Sequence, residues 1–137
     1  MSSGEMFEVF GDFDPTEYEV EAKERWGDTD AYRQHAQRTS RYGKEDWARI
    51  GQEADGINQR FLTLMAAGTP ADDEAAMDVA EAHREHISKW FYDCTKPAHA
   101  GLGQLYVADQ RFQDNIDKAG VGLAEYMSAA IVANSSR

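Results

Sequence analysis

The sequence predicts an all-α protein, a helical bundle of about six or seven helices. Apolar residues recur at intervals of three and four along most of the chain, which is the period of an amphipathic helix. The alternation typical of strands is nearly absent, and Val and Ile, which favour sheets, are few. A chain of 137 residues is long enough for one domain with a core of its own.

The charge of the chain is unevenly distributed. The formal net charge is −11, and residues 1–30 contain ten acidic residues against two basic ones, a balance of −8. Such an acidic chain repels phosphate backbones, so we expect no nucleic-acid binding by this chain alone. No run of 18 apolar residues and no secretory signal occur, so no membrane association is predicted. A single cysteine fits a reducing compartment, and we expect a cytoplasmic protein.

Two weak helices are predicted in the N-terminal part. Asp14 is a typical N-cap, because a proline follows it and a glutamate lies three residues after it. The helix that begins there covers 14–26. A second helix covers 28–42. Both have thin apolar stripes and need a partner to be stable. We therefore expect residues 1–42 to form a weakly ordered acidic arm and residues 43–137 to form the helical body.

The body has stronger helical patterns. We predict Trp47, Phe61 and Met127 as core residues, because each lies on a sustained apolar stripe. The stripe of the helix that begins at Pro97 is predicted to contain Ala98, Leu102, Leu105 and Tyr106. The five predicted helices cover Lys44 to Ala67, a segment from an Asp72 cap to Trp90, a segment from Pro97, Asp109 to Ile116, and a segment that begins near Gly122.

The stretch 80–107 concentrates the residues that can carry chemistry. It contains three of the four histidines and the only cysteine, on two predicted helices that meet at Lys96-Pro97. His83 and His86 could bind a metal with Asp93, Cys94 or His99, but the spacing is not that of the H-E-x-x-H zinc motif. His83 shares the apolar stripe of its helix, which favours a core histidine. We predict no metal site here.

Cys94 is the candidate nucleophile, with a histidine nearby to activate it. It follows an apolar helix, however, which favours a buried structural cysteine. The sequence contains no phosphate loop, nucleophile elbow or paired carboxylates, so we predict no enzyme. The many aromatic residues of the chain are typical both of a mostly apolar ligand site and of a core.

The chain resembles the TipAS domain, the C-terminal antibiotic-binding domain of TipA-type regulators of the MerR family. The similarity lies in five blocks, of which WGDTDAYR and YVADQRF are the most specific parts. The blocks are FEVFGDFDPTEYEVEAKERWGDTDAYR (7–33), KEDWARI (44–50), AMDVAEAHREHI (76–87), LYVADQRFQDNID (105–117) and GLAEYMSAAI (122–131).

This resemblance implies a globin-like helical domain without haem or any other cofactor, which sequesters thiopeptide antibiotics such as thiostrepton in a cleft. It implies that the N-terminal arm folds over the ligand. In longer relatives a winged helix-turn-helix and a coiled coil precede the domain, so DNA and RNA polymerase become partners only through a full-length regulator. The alternative function is a protein-interaction module that binds an amphipathic helix of a partner in the same groove.

Helical phase and proximity to the corner at Lys96-Pro97 indicate which residues would contact the antibiotic. Thiostrepton-responsive relatives have a second, reactive cysteine at the position of Gly101. Its absence here, together with the expected burial of Cys94, predicts that any antibiotic is held without a covalent bond. The expected contacts are Trp26, Tyr32, His83, Ile87, Trp90, Phe91, Cys94, His99, Leu102 and Tyr106.

Overall fold

The computed structural model describes residues 30–137, with side chains from Arg33 onward. The predicted all-α class is confirmed, since these residues form helices, turns and loops and contain no strand. The predicted helix 14–26 and Trp26 lie outside the described residues. The helices are α1 (Asp30–Thr39), α2 (Lys44–Ala66), α3 (Glu74–Trp90), α4 (Lys96–Ala108), α5 (Gln110–Asp117) and α6 (Leu123–Ser135).

Local capping determines where α3 and α4 begin. We predicted Asp72 as the cap of α3, and this is wrong: Asp73 accepts a hydrogen bond from the backbone N–H of Ala75 at 2.9 Å. The hydroxyl of Thr95 accepts from the backbone N–H of Ala98 at 3.2 Å and so caps α4. Pro97 then lies in the first turn of α4, where a missing N–H costs nothing.

The chain divides into two compact units, and the described part of the first comprises residues 30–53 and 86–93. Its core is aromatic. Trp47, Ile50 and Trp90 are buried, and Tyr42 and Phe91 pack against them. The Tyr42 ring meets Trp90 edge-to-face at 5.5 Å, and its hydroxyl donates to the backbone carbonyl of Trp90.

In this first unit, α1 is attached to the C-terminal end of α3. The guanidinium of Arg38 donates to the backbone carbonyl of Ser88 at 2.7 Å and pairs with Asp93 at 2.9 Å. A cation is favourable at this end of a helix because the last carbonyls carry partial negative charge. The His35 ring stacks on Phe91 with centroids 5.3 Å apart.

The second unit comprises residues 54–85 and 94–137 and has an aliphatic core. Phe61 and Met127, both predicted as core, are buried here, as Trp47 is in the first unit. On α6, Leu123, Ala124, Ala130 and Ile131 are buried beside Met127. The buried residues of this core are Ile57, Phe61, Ala76, Val79, Ala80, Leu123, Met127, Ala130 and Ile131.

The buried face of α4 differs from the predicted one by about one residue. His99 and Gly103 are the buried positions of α4, whereas Ala98 is exposed and Leu102 is half-buried. The reason is close packing against α6: a Cβ atom at Gly103 would lie 3.0 Å from Cγ2 of Ile131. A glycine has no apolar side chain, so the apolar pattern does not reveal this contact. Among the described residues, no helix is both long and apolar enough to cross a membrane.

Candidate functional site

A series of four aromatic rings crosses three helices of the second unit. His83 on α3 stacks on His99 of α4, with ring centroids 5.0 Å apart and planes inclined by 27°. Tyr106, two turns after His99 on α4, meets His83 edge-on at 6.2 Å. Phe112 on α5 lies 6.1 Å from Tyr106. His83, Tyr106 and Phe112 are half-buried, whereas His99 is buried.

His99 is the buried end of this series. It is only 1% exposed, and its Nε2 lies 2.8 Å from Nδ1 of His83, a hydrogen-bond distance. Burial, and secondarily the charge of Arg84, lowers the pKa of His99 from 6.5 to about 4. The ring of His99 is therefore neutral at physiological pH, and the hydrogen bond joins a neutral imidazole to its neighbour.

An ionic network beside these rings fixes the corner between α3 and α4. Arg84 forms two hydrogen bonds with Glu81, one of them at 2.9 Å, and donates to the backbone carbonyl of Cys94 at 2.7 Å. Asn134 of α6, which is 1% exposed, donates to Glu81 at 3.1 Å. These hydrogen bonds, above all those from Arg84, outweigh desolvation and lower the pKa of Glu81 to about 2.

Cys94 lies in this corner, immediately before the Thr95 cap of α4. It is 2% exposed, and its Sγ lies 3.8 Å from the backbone carbonyl of Thr95. Such burial shields the thiol from an electrophile in solution. Gly101, by contrast, is exposed on α4, and a Cβ atom there would meet nothing within 4 Å.

The first unit contains a half-buried carboxylate, that of Glu53. Glu53 of α2 accepts hydrogen bonds from the indole Nε1 of Trp90 at 2.7 Å and from Lys89 at 3.2 Å. The bond from Trp90 is the main cause that lowers the pKa of Glu53. His86 lies 3.5 Å from the same carboxylate, and burial lowers the pKa of its ring.

The predicted ligand contacts fall into two sets by burial. His83, Phe91, Leu102 and Tyr106 are half-buried, whereas Ile87, Trp90, Cys94 and His99 are buried. His83, His99 and Tyr106 are in mutual contact in the second unit, and Trp90 and Phe91 belong to the aromatic core of the first. Tyr32 lies in α1, but the structure describes no side chain there. Trp26 lies outside the described residues.

Sequence reasoning missed Phe112, Glu53 and the Glu81–Arg84 pair. The i,i+3 spacing of Glu81 and Arg84 on the helix of His83 was the one available signal for the pair. His83 and His86, the candidate metal ligands, have different partners, namely His99 and Glu53. The described part of the chain contains no group of three or more His, Cys, Asp or Glu side chains that could hold a metal ion.

Comparison with known proteins gives a consistent result. The model of the TipAS antibiotic-recognition domain matches residues 18–134. The HTH-type transcriptional activator TipA of Streptomyces coelicolor is 58% identical over 133 residues, which are 97% of this chain and 53% of that protein. The HTH-type transcriptional activator mta of Bacillus subtilis is 40% identical over 95 residues, or 69% of this chain and 36% of that protein. The chain thus spans about half the length of the Streptomyces relative.

Two solved structures are similar to this chain. One is TipAS of Streptomyces lividans in complex with nosiheptide, from a thiopeptide antibiotic multidrug resistance system. Its TM-score is 0.92 at 56% identity, and the match covers 100% of this chain and 96% of that one. The other is the antibiotic binding domain of a TipA-class multidrug resistance transcriptional regulator. Its TM-score is 0.61 at 54% identity, and the match covers 66% of this chain and 97% of that one. The first similarity confirms the globin-like helical class that the resemblance implied.

Proposed function

Because this chain belongs to the TipAS family of antibiotic-recognition domains, we propose that it binds thiopeptide antibiotics. The observation that carries the proposal is the similarity to TipAS in complex with nosiheptide, which extends over the whole chain at a TM-score of 0.92. Over that length 56% of the residues are identical, so the proposal rests on sequence as well as on fold. We propose binding without catalysis, and sequestration of the antibiotic is its direct consequence.

The regulatory role proposed for this domain is ligand sensing. Two relatives are HTH-type transcriptional activators, and this chain corresponds to about half of the first. As part of such a drug-responsive activator of the MerR family, the domain would bind the antibiotic in the cytoplasm. DNA and RNA polymerase would then be contacted by other parts of the regulator, in keeping with the acidic balance of this chain.

The proposed contact surface in the second unit is the exposed side of the ring series. His83, Leu102 and Tyr106 are half-buried and lie on adjoining faces of α3 and α4, so they contact the ligand directly. Aromatic surface with a few polar groups is typical of small-molecule sites. His99 and Cys94 are buried, so they support the packing behind this contact surface and do not contact the ligand themselves. In the first unit, Phe91 is the half-buried candidate for direct contact.

For the arm, we propose that residues 1–42 become ordered when the antibiotic binds, with Trp26 and Tyr32 as contacts. The support is the charge balance of −8 in residues 1–30 and the thin apolar stripes of this segment. Ordering a segment on binding uses part of the contact free energy, roughly 2–5 kcal/mol. The affinity then comes from the apolar surface buried on binding, which contributes about 25 cal/mol per Å². The free energy used to order the arm is subtracted from this contribution.

The bound antibiotic is proposed to be held without a covalent link. The sequence has one thiol, that of Cys94, and it is 2% exposed. Intact-mass spectrometry after overnight incubation with thiostrepton is the test, and unmodified protein is the expected result. An adduct of one antibiotic mass that Cys94→Ser abolishes would contradict it.

Titration of tryptophan fluorescence with nosiheptide and thiostrepton tests the binding itself. Saturable quenching is expected for the wild type, and Tyr106→Ala is expected to weaken binding by about tenfold or more, the loss of a large aromatic contact. Tyr126→Phe is the matched control, because it keeps the ring on Phe61 in the aliphatic core and removes one hydroxyl. Equal affinities of Tyr106→Ala and the wild type would remove Tyr106 from the site.

A further inference from the structure

His86 brings a buried, unpartnered nitrogen to the Glu53 carboxylate within the first unit. Only 9% of the His86 side chain is exposed, and its Nε2 has no hydrogen-bond partner among the described residues. Oε1 of Glu53 lies 3.5 Å from this nitrogen, which is close enough for an ion pair if the ring were charged. Buried polar atoms are nearly always hydrogen-bonded, so this exception calls for an explanation.

The other ring nitrogen fixes where the proton of His86 lies. A hydrogen bond with the backbone of Ile50 favours the charged ring, which is the effect of an acceptor, the carbonyl of Ile50. Because Nε2 has no partner, Nδ1 forms this bond. A carbonyl cannot donate, so Nδ1 carries the proton. Nε2 of the neutral ring is therefore a bare acceptor that faces a second acceptor, the carboxylate of Glu53.

The groups around the His86 ring act on its charge in opposite directions. Burial is the largest effect and lowers the pKa of His86 below 6.5, so the ring is neutral at physiological pH. The charge of Glu53 on α2 raises this pKa, and that of Lys89 on α3 lowers it. From α1, His35 stacks on Phe91, which meets His86 edge-on at 6.5 Å. Acid is therefore needed to charge His86.

The carboxylate oxygen that faces His86 already has a hydrogen-bond donor. Oε1 of Glu53 accepts from the indole Nε1 of Trp90 at 2.7 Å, while Oε2 accepts from Lys89 at 3.2 Å. A charge-assisted N–H···O bond measures about 2.7–2.9 Å, so a protonated Nε2 would draw Oε1 closer than its present 3.5 Å. His86 and Trp90 would then compete for one oxygen atom.

We propose that His86 and Glu53 form a proton switch that controls the hydrogen bond of Trp90. At neutral pH, Nε2 of His86 is unprotonated and Oε1 of Glu53 accepts from the indole alone. In acid, a proton from the solvent adds to Nε2, an N–H···Oε1 bond forms, and the bond from Trp90 lengthens. Trp90 is buried with Trp47 and Ile50, so the switch transmits pH to the aromatic core. It is a property of the free protein and goes beyond antibiotic binding.

Nitrogen resonances of the free protein test the switch. The ¹⁵N shifts of His86 at neutral pH should show the proton on Nδ1 alone, and Nε2 should become protonated as the pH falls below 6.5. The indole N–H resonance of Trp90 should shift with the same midpoint. A proton on Nε2 at neutral pH would overturn the inference, and so would a Trp90 resonance that does not follow His86.

Two variants separate the switch from other effects of acid. In His86→Phe the Trp90 resonance should stay constant between pH 6.5 and 4.5, where Glu53 remains ionised because its pKa is lowered from 4.5. In Glu53→Gln the midpoints of His86 and Trp90 should both fall by about one pH unit or more, since an opposite charge has been removed. The exposed control Glu45→Gln, on the same helix as Glu53, should keep the wild-type midpoints.

A wild-type shift of Trp90 in His86→Phe, or an unchanged His86 midpoint in Glu53→Gln, would overturn the inference. Circular dichroism at each pH reports whether the protein is folded. Unfolding of the wild type before His86 titrates would also overturn it, because the switch requires a folded protein that accepts the proton. Failure to bind thiopeptides would leave these resonances unaffected, so the proposed function and this inference can fail separately.

Discussion

The indole Nε1 of Trp90 donates a hydrogen bond to the Glu53 carboxylate at 2.7 Å, and this bond joins α3 to α2 within the aromatic unit. Trp90 is only 8% exposed, and the Glu53 carboxylate is the hydrogen-bond acceptor of its indole N–H. A buried donor without an acceptor is costly, so this hydrogen bond stabilises the aromatic core against which Phe91 packs.

We expect Glu53→Leu to lower the free energy of unfolding by about 1–3 kcal/mol, the cost of a buried unsatisfied donor. Urea denaturation followed by far-ultraviolet circular dichroism is the measurement. Glu45→Gln, an exposed change at the start of the same helix, should stay within about 0.5 kcal/mol of the wild type. Identical midpoints for Glu53→Leu and Glu45→Gln would contradict the structural role given to Glu53.

Two glycines of α4 should respond oppositely to alanine. A Cβ atom at Gly103 would lie 3.0 Å from Ile131, so Gly103→Ala is expected to destabilise the protein by about 1–3 kcal/mol. At Gly101 a Cβ atom meets nothing, and Gly101→Ala should stabilise the helix by roughly 0.5–1 kcal/mol. Thermal denaturation of the two variants distinguishes them, and a shift in the same direction for both would count against this packing of α4 on α6.

Acidification should destabilise the protein as it passes through the range set by His99. Its pKa is 6.5 when unfolded and about 4 when folded, so between these values the unfolded chain binds a proton that the folded chain does not. Stability is then full above pH 6.5 and falls towards pH 4. Burial also lowers the pKa of His86, so this residue contributes to the loss of stability at low pH in the same direction.

The measurement is the urea midpoint as a function of pH for the wild type and His99→Gln. The variant has no titrating group at this position, so its midpoint should fall less steeply between pH 6.5 and 4. Parallel curves for the two proteins would show that His99 does not remain neutral in the fold.

Arg38 should determine how firmly α1 is attached. Arg38→Met removes the hydrogen bond to the Ser88 carbonyl and the pair with Asp93. We expect amide exchange in residues 34–39 of the antibiotic-bound protein to accelerate by about fivefold to tenfold, the effect of roughly 1 kcal/mol. Arg41→Met, an exposed change in the turn after α1, is the control and should leave exchange unchanged. Equal protection in both variants would mean that α1 is held by other contacts.

Strongly patterned helices could be predicted from the sequence, and tertiary pairings could not. The long apolar stripe of α2 gave its bounds almost to the residue, and Phe61 and Met127 were recognised because each belongs to a sustained stripe. The face of α4 was misjudged because its closest contact involves Gly103, which no apolar pattern can reveal.

The same limit applies to the site. His83 and His99 were predicted from their faces on α3 and α4, yet their direct hydrogen bond joins residues 16 positions apart on different helices. Sequence periodicity places each residue on its own helix but gives no distance between helices. The contact of Phe112 with Tyr106 was missed for the same reason, since it joins side chains on two different helices, α5 and α4.

Isothermal titration calorimetry of this chain with nosiheptide tests antibiotic recognition most directly. We expect a saturable isotherm with one antibiotic per chain, a Kd in the micromolar range or tighter, and a negative heat-capacity change from apolar burial. Absence of saturable heat with nosiheptide and thiostrepton, for protein that is folded by circular dichroism, would contradict the proposal that this TipAS-family domain binds thiopeptides.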